Sequence, residues 1–155
     1  MESLANGARF THTNLIAHDW KKVADFYHRV FGCVPLLPER NQSGEWLEHG
    51  TNVPNAKLAG VHLRLPGYGD TGPTIEIYTY SAVVAQDKPT ANRAGYGHIA
   101  FAVDDVKQAL EAVLRAGGTR LGEIVSADVQ GAGRITFTYA RDPEDNIIEL
   151  QHWER

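Results

Sequence analysis

Apolar residues along the chain fall into two rhythms that take turns. Residues 10–16 read as a strand, and residues 20–31 then carry Val23, Phe26, Tyr27 and Val30 at spacings of three and four, the stripe of a half-buried helix. Asp19 is the expected N-cap of that helix and Gly32 its stop. Pro35 and Pro38 predict a break, and residues 39–58 read as a polar loop with a short strand around Trp46. Alternation resumes over residues 60–65, with Val61, Leu63 and Leu65 on one side and His62 and Arg64 on the other. Turn residues 66–70 lead into a strand over 74–80. The order then restarts, with a strand over 97–103, a cap at Asp104 or Asp105 and a helix over 106–116 that stops at Gly117-Gly118. Strands over 123–129, 134–139 and 147–152 complete the chain.

The restart is a repeat. At an offset of 86 (98 minus 12) His98 falls on His12, Asp105 on Asp19 and Gly118 on Gly32. A second matched pair, Ile75-Glu76-Ile77 and Ile148-Glu149-Leu150, places one glutamate in each copy on an apolar strand. The reading is one structural domain made of a first module over 1–80, a linker over 81–95 and a second module over 96–155, in the α+β class. Strand side chains alternate faces, so these glutamates lie opposite the apolar side that packs under the helix. A carboxylate on a buried strand is costly unless it is paired or bound to a cation, and two at repeat-related positions argue for a cation. Imidazole nitrogen with carboxylate oxygen suits nickel, zinc, cobalt, manganese or iron better than calcium.

Bulk properties narrow the partners. The chain has 155 residues, 43% of them hydrophobic, enough for one core or for two half-sized modules that share one. With a formal net charge of -4 and dispersed Lys and Arg, no basic footprint for nucleic acid or an anionic membrane is present. The single cysteine, Cys33, precludes an intrachain disulfide and reads as a small core residue of a reducing compartment. The first ten residues lack a leader pattern and no apolar run reaches the ~18 residues of a membrane helix, so cytoplasmic residence is expected.

Five segments, FTHTNL with FYHRVFG, TIEIYTY, GYGHIAFAVDDV and RDPEDNIIELQ, together resemble the vicinal oxygen chelate superfamily, which includes glyoxalase I, bleomycin resistance proteins and extradiol dioxygenases. The resemblance implies two βαβββ modules forming a curved mixed sheet around a metal-binding cleft. It implies one divalent metal per site, held by His12, Glu76, His98 and Glu149, as in glyoxalase I-like members; the dioxygenase set would be His12, His98 and Glu149 alone. Two positions depart from glyoxalase I: the arginine that helps hold glutathione's carboxylate is Ile16 here, and an asparagine is Tyr80, which counts against glutathione. The implied activity is that of a lyase or isomerase transferring a proton on a small substrate chelated through adjacent oxygens, with Glu149 and Glu76 as bases. The alternatives are a ferrous extradiol-type dioxygenase and a non-enzymatic binding protein of the same fold. Arg64, His62, Asn14, Tyr78, Tyr80 and Gln151 share the ligand faces and are the expected substrate contacts, whereas His18, His28, His49 and His152 are expected at the surface. A homodimer is expected, and the linker length allows the site to lie within one chain or across two.

Overall fold

The computed structural model of the chain describes residues 4, 5 and 7–155; part of the stretch read as free of a leader lies outside these. Strand β1 (His12–Ile16) runs into helix α1 (Trp20–Phe31), whose N-cap Asp19 accepts from the Lys21 and Lys22 amides and whose C-cap Gly32 adopts a left-handed φ of 69°. β2 (Val34–Ser43), helix α2 (Glu45–Thr51), β3 (Lys57–Arg64) and β4 (Thr74–Tyr80) follow. The second half holds β5 (Ile99–Ala102), α3 (Val106–Arg115, capped by Asp105), β6 (Thr119–Arg120), β7 (Val125–Val129), β8 (Gly133–Arg141) and β9 (Ile147–Glu154).

Two of these elements correct the reading of the sequence. Pro35 and Pro38 do not break the chain; they sit in β2, an edge strand, where a missing N–H costs nothing, and the ladder slips between Leu36 and Arg40 to pass them. Trp46 lies not in a strand but in α2, a helix of 7 residues that buries only Leu47 and is too short to print an apolar period.

The strands form one sheet in the order β1-β4-β3-β2 and a second in the order β5-β9-β8-β6, with β7 also on β8. In each, a parallel pair, β1 with β4 or β5 with β9, is built around the repeat, and β1 and β5 end their sheets. Val23, Phe26 and Tyr27 of α1 and Val106, Leu110 and Val113 of α3 are buried in one core with Ile75, Ile77, Ile148 and Leu150, so both glutamate-bearing strands turn their apolar side inward as expected. Burial at this level contributes roughly 1.5–3 kcal/mol per large aliphatic side chain.

Ring and hydrogen-bond contacts fasten the halves to each other across that core. Phe31 and Phe101 stack with ring centroids 3.8 Å apart. Tyr27 donates its hydroxyl to Asp142 at 3.1 Å. Glu144 accepts from the amides of His18 and Asp19 at 2.9 and 3.2 Å, so the β8–β9 turn caps the entrance to α1. Asp142 is 1% exposed and also takes the amides of Glu144 and Asn146. Burial pushes its carboxyl up, against those hydrogen bonds. Gly118 matches Gly32 in the repeat for a different reason: a Cβ there would sit 2.5 Å from the Arg141 carbonyl oxygen, so glycine permits close packing rather than a left-handed turn.

Candidate functional site

The ladders turn the alternation into a grid on the face of the first sheet opposite the helix. One rung across β1, β4 and β3 is Asn14, Glu76 and His62; the rung below is His12, Thr74 and Arg64, and the rung above is Ile16, Tyr78 and Gly60. Glu76 is the hub. Asn14 Nδ2 donates to its Oε1 at 2.9 Å, the Tyr78 hydroxyl donates to Oε2 at 3.0 Å, and His62 Nε2 lies 2.8 Å from Oε2. His12 Nε2 stands 3.7 Å from Oε1, and its Nδ1 is within 3.3 Å of the Thr11 hydroxyl.

Burial, with Arg40 and His12 nearby, lowers the His62 imidazole pKa despite the opposing pull of Glu76. His62 Nε2 lies 2.8 Å from Glu76 Oε2 and 2.9 Å from the Tyr78 hydroxyl, while Nδ1 faces the Thr74 hydroxyl at 3.5 Å. Burial and the Glu76 carboxylate push the Tyr78 phenol well up, so that its hydroxyl stays a donor.

In the second sheet the corresponding rung is Ala100, Glu149 and Tyr139. His98 directly precedes β5 and places Nε2 2.9 Å from Glu149 Oε2. The Tyr139 ring lies 4.9 Å from the His98 ring, centroid to centroid, and burial followed by the Glu149 charge pushes its phenol up. Each carboxylate is nearly enclosed, at 12% exposure for Glu76 and 14% for Glu149, whereas the two imidazoles stay open.

A cleft of about 530 Å3 is lined by His12, Asn14 and His98 and by Gln86, Arg93 and Tyr96 of segment 81–98. Among the described residues no three His, Cys, Asp or Glu side chains close on one point; each sheet sets an imidazole facing a carboxylate, His12 with Glu76 and His98 with Glu149. An imidazole nitrogen beside a carboxylate oxygen is a donor set that suits a borderline divalent cation.

The remaining expected contacts divide. Arg64 lies on the site face but leans on Asp70, Nη1 to Oδ1 3.3 Å. Tyr80 packs with Val53 against a satellite cluster of Leu47, Ala56, Leu58 and Tyr78 beneath α2. Gln151 accepts from the Trp153 indole at 2.8 Å. His18, His28 and His49 are exposed, but His152 is half-buried with Nδ1 2.9 Å from the Val103 carbonyl oxygen, which corrects its placement at the surface. Two residues of the site went unnoticed in the sequence, Tyr139 and Gly60. Tyr139 becomes visible only when β8 is laid against β9, because its meaning comes from standing across from Glu149.

The family model described as the glyoxalase/bleomycin resistance protein/dioxygenase superfamily matches residues 9–150. A probable lactoylglutathione lyase of Vibrio parahaemolyticus is 31% identical across 95% of this chain and 91% of its own length. The lactoylglutathione lyase of Escherichia coli O157:H7 is 32% identical across 92% and 90%. Among solved structures, a glyoxalase family protein from Bacillus cereus superposes over all of both chains with a TM-score of 0.83 at 16% identity. A glyoxalase I mutant from Zea mays reaches 0.63 at 26% identity, covering 92% of this chain and 44% of its own. A fold of duplicated strand-helix-strand modules, matched along nearly its whole length by that family model, makes this chain a member of the glyoxalase/bleomycin resistance protein/dioxygenase superfamily.

Proposed function

We propose that the chain is a divalent-metal-dependent lyase or isomerase that transfers a proton on a small substrate chelated through two adjacent oxygens. The observation that carries this is the pair of repeat-related His–Glu half-sites, His12 with Glu76 and His98 with Glu149, each on the face of its sheet away from the core. Relatives named lactoylglutathione lyase, about a third identical over nearly the full chain, support it. A divalent ion bound by these four residues would supply a Lewis acid for both substrate oxygens, lowering the cost of removing the proton between them. Glu149 is the better base. Among the described residues His98 is its one close partner, so its carboxylate can turn to a C–H, take the proton and return it to the adjoining carbon. Glu76, fixed by three neighbours, keeps its place as a ligand.

The working unit we propose is a homodimer in which the first module of one chain faces the second module of the other. Both half-sites lie next to sheet-ending strands, β1 and β5, and each is closed only with its own module's imidazole. Mixing two inactive variants, His12→Ala and His98→Ala, tests this. Random exchange makes half of the dimers mixed, each with one intact site, so metal binding returns to about one quarter of the wild-type sites. No recovery, with wild-type subunits known to exchange, would assign the site to single chains.

The reaction itself is tested by loading the protein with nickel, zinc or cobalt. Deuterium uptake from D2O is then followed at the hydroxyl-bearing carbon beside the carbonyl of hydroxyacetone and of methylglyoxal hemithioacetals, glutathione's included. Exchange on at least one of them is expected; metal bound stoichiometrically without exchange on any would overturn the lyase reading. A second reading has one observation in its favour: Glu76 is already satisfied by protein donors, which would leave His12, His98 and Glu149 as the three-residue set of a ferrous dioxygenase. Oxygen uptake with catechols after anaerobic iron loading distinguishes it.

A further inference from the structure

Tyr78 lies on the site face of β4 and is nonetheless 8% exposed. Two features of the chain bury it. Across the ladder stands Gly60, where a Cβ would come 2.3 Å from Tyr78 Cδ1 and 2.1 Å from the Ile77 carbonyl oxygen; only glycine lets the ring lie flat against β3. On its outer side α2 brings Leu47 down beside Ala56 and Leu58, and these three close over the ring in a cluster separate from the main core. Phenylalanine would fill that space as well as tyrosine does. What tyrosine adds is a hydroxyl that burial would penalise without a partner, and its partners are Glu76 Oε2 at 3.0 Å and His62 Nε2 at 2.9 Å.

We propose that Tyr78 is a positioning residue: mounted by Gly60 and the cluster under α2, it pins Glu76 Oε2 so that Oε1 is presented toward His12. The inference rests on the reading of Glu76 as a metal-facing carboxylate. Oε2 is held by the phenol and by His62, and Asn14 holds Oε1, so that both oxygens have a protein partner. A ligand oriented in this way meets an ion without first losing rotamer freedom, and removal of such an outer partner typically weakens metal affinity by about tenfold to a hundredfold.

The test uses Tyr78→Phe in the full chain, with two readouts. In the metal-free protein, the imidazole nitrogen resonances of His62 and the side-chain carboxyl carbon resonance of Glu76 are expected to move while those of His98 and Glu149 stay. In a cobalt(II) titration followed by visible absorption, the dissociation constant is expected to rise about tenfold or more, with an altered ligand-field spectrum at saturation. Gly60→Ala, whose Cβ would meet both the ring and the Ile77 carbonyl oxygen, should move the same His62 and Glu76 resonances and leave those of His98 and Glu149 in place. Unmoved His62 and Glu76 resonances in Tyr78→Phe overturn the proposal, as does a cobalt dissociation constant within about twofold of wild type. A wild-type protein that takes up no cobalt would sink the metal reading instead, and the metal-free resonances would still decide whether Tyr78 holds Glu76.

Discussion

The two halves of this molecule keep the same pair of reactive groups and differ in what surrounds them. Glu76 stands between Asn14 and His62 with the Tyr78 hydroxyl beside it, and Glu149 stands between Ala100 and Tyr139. Besides the imidazole that faces it, His12, the first carboxylate is held by three further neighbours; the second has only the imidazole that faces it, His98, among the described residues. Under the proposed function the repeat-related carboxylates divide the work, the heavily held Glu76 as ligand and the lightly held Glu149 as base. A site that must both keep a cation and move a proton needs that division, since one carboxylate cannot be rigid and mobile at once.

The largest effect expected from the division is on turnover. Glu149→Gln should cost about a thousandfold in the deuterium exchange rate of the metal-loaded protein, in the usual range for loss of a general base. Glu76→Gln should act mainly through metal affinity, with the rate at saturating metal falling far less. Equal losses of rate from the two variants, each at full metal occupancy, would abolish the distinction between them.

A second contrast lies in the turns that precede β4 and β9. The first, around Gly69–Thr71, is open, and Asp70 is 92% exposed in its pairing with Arg64. The second is wedged between the halves, with Asp142 accepting from Tyr27, Glu144 and Asn146. Asp142→Ala should lower unfolding stability by about 3 kcal/mol, since it strands a buried phenol and two amides, whereas Asp70→Ala should change it by less than about 0.5 kcal/mol. Urea denaturation of both variants measures this, and similar small losses would mean that the second turn is not a seam.

The distinction can also be engineered in both directions. Asn14→Ala removes from Glu76 the amide that Glu149 lacks, and should weaken cobalt binding by about tenfold. Ala100→Asn gives Glu149 a donor at the equivalent position, and should slow exchange while leaving metal affinity equal or tighter. If Ala100→Asn left the rate untouched, mobility of Glu149 would not be what the second module contributes.

How much of this was legible in the sequence depended on the range over which each feature is encoded. His12, Glu76, His98 and Glu149 are visible because a strand writes its two faces into alternate residues, and Ile75, Ile77, Ile148 and Leu150 mark the buried face on either side of each glutamate. Asp19 and Gly32 are visible because caps are local. The clamp on Glu76 is not local. His62 is fourteen residues before Glu76 and Asn14 sixty-two before it, and only the β3–β4 and β1–β4 registers bring them to one rung. α2 was hidden for another reason, since seven residues with one buried leucine carry too little periodicity to be told from a loop.

The smallest effect concerns the point where the two copies diverge after their first helix. Cys33 is fully buried, whereas position 119, reached by the same offset of 86, is an exposed threonine in β6. Burial pushes the Cys33 thiol from 9.0 up to about 11. The folded chain therefore holds this proton after the unfolded chain has released it. Protons bound in excess by the native state mean stability that is complete below pH 9 and is lost as pH rises from there through about 11. Subtracting the urea midpoint of Cys33→Ala from that of wild type at each pH isolates this group from the lysines and tyrosines that titrate alongside it. The difference should be constant between pH 7 and 8.5 and decline by pH 10.5, and iodoacetamide at pH 8 should label the thiol only after unfolding. Prompt labelling of the native protein would place the end of α1 at the surface and make the first module's core as open there as the second's.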